Sequence, residues 1–166
     1  MTTGRHSSLG YSLLLNVLLA FLWQAFQPES TYTDFVVGAV VGFVVLAVMQ
    51  REYGRRVWAA IAFAIFLGYS IIASSLQVAG LVLARRPQLD RGIIAIPLEA
   101  SSDVEIAALA TAITLTPGTI SVDVHTEPDG QRVLYVHNLV MGDPDEARKV
   151  IKRDFEQRIL RFTRSA

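Results

Sequence analysis

The residues whose types could support chemistry lie close together, between positions 121 and 137. Ser121, Asp123 and His137 are the types that hydrolases use as nucleophile, acid and base. The surrounding pattern argues against that use, because Ser121 stands in the middle of a predicted strand and no nucleophile-elbow motif surrounds it. We therefore predict a polar outer face of a sheet that serves as a candidate contact surface, formed by Asp123, His125, Tyr135 and His137.

Other catalytic and metal-binding patterns are missing from the sequence. It contains no cysteine, which excludes disulfides and thiolate sites, and it has no Walker loop, G-x-G-x-x-G or H-E-x-x-H motif. In the predicted strand pairing, His125 and His137 are too far apart to share one metal ion. We expect no enzyme, cofactor or metal site, and the zero net charge gives no reason to expect a nucleic-acid partner.

The elements that would carry the candidate face form a soluble C-terminal region, 91–166. Residues 92–98 read as a buried strand, and Ser102 with Glu105 forms a capping box that starts a helix. The helix ends at a type II turn, two strands follow at 120–126 and 132–138, and Asp143 caps a final helix. The turn is formed by Thr116, Pro117, Gly118 and Thr119. The order β-α-β-β-α predicts an α+β plait like the ferredoxin-like fold without its last strand, with the first strand as an open edge.

The hairpin loop predicts which residues face each other across the last two strands. With Pro128–Gly130 as a three-residue loop, Asp123 faces Tyr135 and Ser121 faces His137. Strict alternation then directs another set of side chains to the core. These are Ile120, Val122, Val124, Leu134 and Val136.

The N-terminal half, residues 1–86, has the composition of a membrane region. Apolar residues make up 52% of the chain and charged residues 18%, and the charges are sparse before position 85. Two to three apolar helices are predicted, at about 9–26, 35–49 and 58–84, with lengths of roughly 27, 22 and 40 Å. The second run is short for a crossing, and the alternatives are local thinning of the bilayer or a hairpin with the first run that does not cross fully. Breaks are expected at 27–31 and at 52–56. A signal peptide is the alternative reading of the first run, which has Arg5 before it but no small-x-small cleavage site after it.

None of the three apolar runs contains Asp, Glu, Lys, Arg or His. Proton relays and ion paths need ionisable groups at membrane depth, so this pattern favours an anchor or an accessory subunit. Small residues recur at helical spacing and predict helix-packing faces. They are Gly38, Gly42, Ala60, Ala64 and Gly68.

The arginines leave the orientation in the membrane open. Arg51, Arg55 and Arg56 favour a cytoplasmic position for the second break, and the arginines from position 85 to 91 favour the same side for the soluble region. A single crossing between the two groups would separate them. Either the third run does not cross, or one group is an exception.

The final helix has a basic side, which fits a solvated face or, alternatively, contact with lipid headgroups or an acidic partner. Its members are Arg148, Lys149, Lys152, Arg153, Arg158, Arg161 and Arg164.

Several stretches resemble one protein family. The sequence reads LATAITLTPGTISVDV at 109–124 and LYVHNL at 134–139, and LLLNVLLAFLW at 13–23 and SSLQVAGLVL at 74–83 fit the same pattern. Together they resemble the MrpE (MnhE) component of the multi-subunit Mrp-type sodium/proton antiporters. One departure is Asn138-Leu139-Val140, where an aspartate is expected after the histidine.

The resemblance implies a multi-pass subunit of a plasma-membrane complex that exchanges Na⁺, or another monovalent cation, for H⁺. In that family the large subunits carry the ion path, MrpE supports assembly and activity, and the soluble domain is cytoplasmic. The implied partners are the other membrane subunits and the lipid bilayer, with no small-molecule substrate bound by this chain alone. The alternative is a membrane-tethered sensory or ligand-binding plait that uses the candidate contact face.

Overall fold

The computed structural model describes residues 9–28, 31–85 and 90–164. They form two compact units, which divide between Trp58 and Ala59. Arg5, Glu29, Ser30 and Arg86, which enter the expectations above, lie outside the described residues. The elements in chain order are α1 (Leu9–Ala25), α2 (Tyr32–Met49), α3 (Arg51–Leu83), β1 (Gly92–Pro97), α4 (Asp103–Leu115), β2 (Thr119–Thr126), β3 (Arg132–Asn138), α5 (Pro144–Val150), a π-helical stretch (Ile151–Glu156) and α6 (Gln157–Thr163).

The first unit contains α1, α2 and the start of α3. Two hydrogen bonds tie α1 to the residues around the α2–α3 junction: Ser12 Oγ donates to Gln50 Oε1 at 3.0 Å, and Asn16 Nδ2 donates to Tyr53 Oη at 3.3 Å. Of the helices in the described ranges, α2 and α3 are long and apolar enough to cross a membrane. The helix α1 is shorter, at 17 residues.

The predicted break at 52–56 is wrong, because α3 already begins at Arg51. Only Gln50 leaves the helical conformation, with φ −126° and ψ 82°. Glu52 pairs with Arg55 and Arg56 one turn later, and such pairs support a helix. Gly54 permits close packing, since a Cβ there would lie 3.0 Å from Ala47 Cβ.

The second unit contains a three-stranded antiparallel sheet in the order β1-β3-β2, covered on one face by helices. The architecture is therefore a helical N-terminal part followed by a small antiparallel sheet with helices, as predicted. The core lies between the sheet and the helices α4 to α6. Its members with the least exposed side chains are Ile96, Leu109, Ile113, Leu134, Val136 and Ile159.

The register of β2 on β3 agrees with the prediction only in part. Asp123 pairs with Tyr135, which is confirmed. The predicted pairing of Ser121 with His137 is wrong: Ser121 pairs with Val136, and Ile120 takes the place opposite His137. The cause is a β-bulge between Ser121 and Asp123, which adds one residue to β2 and reverses the alternation beyond it.

The bulge also changes which side chains of β2 are buried. Ile120 and Val122, predicted as buried, are each 55% exposed. Val124 still pairs with buried Leu134, but it lies on an edge strand and is 39% exposed. Strict alternation predicts burial only where the pairing is unbroken and a helix covers the strand.

The outer edge of β1 is covered by side chains from the helices that follow β3. Arg148 Nε donates to the Ala95 carbonyl at 3.0 Å, and Lys152 Nζ donates to the Pro97 carbonyl at 3.1 Å. Charged side chains on an edge strand block its pairing with another chain. The edge of β1 that was predicted to be open is thus covered by Arg148 and Lys152 along its second half.

Candidate functional site

The candidate contact face lies on the side of the sheet away from the helices. The pairing places His137 between Ile93 and Ile120, and Tyr135 between Ala95 and Asp123. His125 shares this face, opposite Val133. All four predicted residues therefore lie on one face of the sheet, which also exposes the side chains of Ile93 and Ile120.

Ser121 is not part of this face. Its Oγ donates to the Ala110 carbonyl of α4 at 3.0 Å, and its N–H donates to Thr114 Oγ1 at 3.2 Å. The hydroxyl is thus turned toward α4 and away from His137. Within 9–28, 31–85 and 90–164, no three His, Asp or Glu side chains converge as metal ligands would. Ser121 and His137 therefore do not form a nucleophile–base pair.

The turn at Thr116–Thr119 joins α4 to both neighbouring strands. Gly118 has φ +91°, and the Thr119 N–H donates to the Thr116 carbonyl at 3.2 Å, which closes a β-turn. Thr119 Oγ1 donates to the Ile113 carbonyl at 2.6 Å, and the Leu139 N–H donates to the Gly118 carbonyl at 2.8 Å. This one turn therefore holds the end of α4, the start of β2 and the end of β3.

Replacing Gly118 by valine is expected to destabilise the chain by about 1–3 kcal/mol, because a β-branched residue is strained at this positive φ. Crowding is a minor factor, since a Cβ at this position would have its nearest neighbour, Val78 Cγ2, at 3.5 Å. Thermal melting of the purified full-length chain in detergent measures the loss. Gly118→Asn is the matched variant and should lose less, since asparagine tolerates this conformation. Equal melting temperatures for the valine and asparagine variants would contradict the strain argument.

The glycines of α2 pack on α1 of the same chain. A Cβ on Gly38 would lie 2.8 Å from Trp23 Cβ, and one on Gly42 would lie 2.5 Å from Asn16 Oδ1. The glycines therefore allow the two helix backbones to approach closely. The other predicted small residues differ: Ala60 is half-buried, whereas Ala64 and Gly68 are exposed, and Gly68 has no described atom within 4 Å of its Cβ position.

Replacing Gly38 by valine is expected to separate α1 from α2 and to cost about 1–3 kcal/mol, because the added atoms meet the Ala20 carbonyl and Trp23 Cβ at 3.0 Å or less. The measurement is the melting temperature of the full-length chain in detergent. Gly68→Val is the control, and it should leave the melting temperature of the isolated chain unchanged. A larger loss for the control than for Gly38→Val would refute the packing argument.

A buried carboxylate at Glu105 joins the start of α4 to the end of α6. The residue is 5% exposed, and its oxygens accept from Arg164 at 2.9 Å, from the Ser101 and Ser102 N–H groups, and from Thr163 Oγ1. The hydrogen bonds from the Arg164 guanidinium are the main reason why the pKa of Glu105 falls from 4.5 to about 2. Burial of the carboxylate opposes this shift. The hydrogen bonds from the Ser101 and Ser102 N–H groups and from Thr163 lower the pKa further. The sequence showed Glu105 only as part of a capping box.

A second buried carboxylate, Glu156, holds the same loop between β1 and α4. It is 1% exposed, and Oε1 accepts from the N–H groups of Glu99 at 2.6 Å and Ala100 at 2.9 Å. Lys152 Nζ lies 4.0 Å from Oε2. The sequence analysis did not predict that Glu156 is buried. Its position directly after Phe155, on the apolar stripe of the last helix, was a signal that it could be.

The basic side of the last helices is largely paired within the chain. Arg158 lies over the Phe66 ring, with Cζ 4.3 Å from the centroid. The other pairs are Arg148–Asp145, Lys149–Glu146, Lys152–Glu99, Arg153–Asp154 and Arg164–Glu105. These contacts leave less free positive charge for lipid headgroups or an acidic partner than the sequence suggests.

Comparison with known proteins defines the family. Residues 16–162 match the profile of the MNHE family, described as a Na⁺/H⁺ ion antiporter subunit. The chain is 32% identical over 161 residues to the E subunit of the Na⁺/H⁺ antiporter of Alkalihalophilus pseudofirmus, covering 94% of this chain and all of the relative. It is 30% identical to the corresponding antiporter subunit of Bacillus subtilis, with the same coverage.

The fold has a counterpart of known structure. A chain in the Mrp complex from Dietzia sp. DQ12-45-1b superposes with a TM-score of 0.51 and 25% identity, covering 64% of this chain and 96% of that one. The chain described here belongs to the MNHE family of Na⁺/H⁺ antiporter subunits, as the sequence patterns indicated.

Proposed function

We propose that this chain is an accessory subunit of a multi-subunit monovalent cation (Na⁺)/proton antiporter. It packs on the ion-translocating subunits and does not itself form the ion path. Family membership and the resemblance to a chain of a solved Mrp complex support the complex. The accessory role is supported by the chemistry of the apolar helices.

The observation that carries the proposal is the absence of Asp, Glu, Lys, Arg and His from the apolar runs. From Val57 to Ala84, and throughout α1, the sequence has no Asp, Glu, Lys, Arg or His. Asp34 lies in the first turn of α2 and accepts hydrogen bonds from the backbone and hydroxyl of Thr31. Proton and cation paths use ionisable groups at membrane depth, so the path must belong to other chains.

The proposal includes the arrangement of the chain. Residues 1–86 form the membrane-associated region, and residues 91–166 form a cytoplasmic plait of the ferredoxin-like type without its last strand. The strand order β1-β3-β2 and the order of helices and strands support the plait. Asp123, His125, Tyr135 and His137 then offer a contact face to neighbouring subunits, and the exposed Ala64 and Gly68 offer a helix-packing surface.

Reconstitution tests this function. The purified chain alone in liposomes should give no cation-coupled pH change, whereas the intact complex should. Native electrophoresis should place the chain with large polytopic subunits, and its removal should reduce the yield of assembled complex. Cation-coupled proton movement by the chain alone would overturn the proposal, as would a chain that never migrates with other subunits and whose melting temperature rises on adding a small molecule.

A further inference from the structure

The helix α3 contacts the α+β elements of its own unit along much of its length. Phe63 and Phe66 pack against the hydrophobic core, and the Phe66 ring centroid lies 5.5 Å from that of Phe155. Further along, Val78 Cγ2 lies 3.5 Å from the position of a Cβ on Gly118. At 1.5 Å per residue, the contacts from Phe63 to Val78 extend over about 22 Å of the helix axis.

The elements on this side of α3 carry charge. The Arg158 guanidinium lies over the Phe66 ring, close to the middle of α3, and Asp154 and Arg161 lie within one turn of Arg158. If α3 crossed a hydrocarbon layer of about 30 Å, a contact zone of about 22 Å would take these charges into it. Charged groups are strongly disfavoured there, so the contacts and a crossing are incompatible.

The other face of α3 is apolar and exposed. Its large side chains recur at spacings of three, four and seven residues and therefore share one face, about 160° around the helix from Phe63, Phe66 and Val78. They are Ile61, Ile65, Tyr69, Ile72, Leu76 and Leu83, with exposed fractions from 44% to 85%. One face thus contacts the α+β elements, including Arg158, and the opposite face is suited to lipid.

The arginines at the two ends of α3 are also consistent with a helix that lies along the membrane surface. Arg51, Arg55 and Arg56 precede its apolar run, and Arg85 and Arg91 follow it. Arginines flanking apolar helices mark the cytoplasmic side. Both groups can be cytoplasmic only if the helix between them does not cross.

We propose that α3 does not cross the bilayer. From residue 59 to 83 it lies along the cytoplasmic membrane surface, with its exposed apolar face in the lipid and the α+β elements on its other face. The helices α1 and α2 supply the crossings. The proposal concerns topology and does not depend on which ion the complex moves.

Site-specific labelling tests the topology when the label is read on this chain after its separation from the other subunits, because a chain without cysteine carries one thiol in each single variant. The variants Thr33→Cys, Arg55→Cys and Asp129→Cys place a thiol at exposed positions before and after the helices in question. In sealed, oriented vesicles of the intact complex, an impermeant maleimide should label Arg55→Cys and Asp129→Cys from the same side and Thr33→Cys from the other. Labelling of Arg55→Cys and Asp129→Cys from opposite sides, or of all three from one side, would overturn the proposal.

Spin labels identify what covers the exposed face. Labels at Ile65, Ile72 and Leu76 in the intact complex should be accessible to oxygen and should report one similar depth, whereas Ser70→Cys, on the covered side, should be less accessible. A depth that changes steadily with residue number means a crossing helix and refutes the proposal. Labels that neither oxygen nor a polar relaxant reaches mean that a protein partner, and not lipid, covers the face, which also refutes it. Neither result affects the accessory role, which is tested by reconstitution.

Discussion

Replacing Glu105 by glutamine is expected to lower the free energy of unfolding by about 3 kcal/mol at neutral pH. The buried carboxylate accepts hydrogen bonds from Arg164, and its pKa is about 2 in the folded chain against an ordinary value of 4.5. Because the folded-state pKa is the lower one, the contribution is complete above about pH 4.5 and is lost as the pH falls toward 2. Urea midpoints of the full-length chain between pH 7 and pH 2.5 measure it.

Glu146→Gln is the matched control for this prediction. Glu146 pairs with Lys149, but both side chains are well exposed, at 64% and 70%. Exposed pairs are screened by water, so the control should keep the stability of the parent chain and its acid dependence. Glu105→Gln should be less stable at pH 7 and should change less between pH 4.5 and pH 2.5. An acid dependence in Glu105→Gln equal to that of the parent chain would exclude Glu105 as its source.

Replacing Glu156 by leucine is expected to cost about 2–5 kcal/mol, because it leaves two backbone donors without their acceptor. These are the N–H groups of Glu99 and Ala100, which both donate to Glu156 Oε1. Glu156→Gln keeps an acceptor oxygen and should lose much less. Hydrogen exchange at the two amides separates this cause from a general loss of packing: they should exchange faster in Glu156→Leu and at nearly the parental rate in Glu156→Gln. Unchanged exchange in the leucine variant would contradict the assignment.

Features that depend on a few neighbouring residues could be predicted from the sequence. The capping box of Ser102 and Glu105 is present, with the Glu105 N–H donating to Ser102 Oγ at 3.2 Å. The strand order could also be inferred from the succession of elements. In each case the stabilising contacts lie within a few residues or follow from chain connectivity, so they leave a signal in the local sequence.

The contacts that fix the second unit join residues far apart in sequence and were not predictable. Glu105 and Arg164 are 59 residues apart, and nothing in the spacing links them. The bulge in β2 is stabilised by bonds from Ser121 to Thr114 and Ala110 of the preceding helix, which hydrophobic alternation does not show. The predicted break at 52–56 was wrong for a different reason: the ion pairs of Glu52 with Arg55 and Arg56 are local and support a helix, and Gly54 was given too much weight as a helix breaker.

The π-helical stretch at Ile151–Glu156 has a consequence for how the length of this chain can vary. A π-helical turn accommodates one more residue than an α-helical turn, so it behaves as a single-residue insertion within a longer helix. Deleting one residue there would let the segment become a regular α-helix, and the helix beyond it would keep its orientation because the π-turn had absorbed the extra residue. Ile159 would then stay in the core, and Arg164 would still reach Glu105. Homologues that are one residue shorter in this segment are therefore expected to keep that pair of charges, whereas a deletion in α6 would rotate Arg164 by about 100° and break the pair.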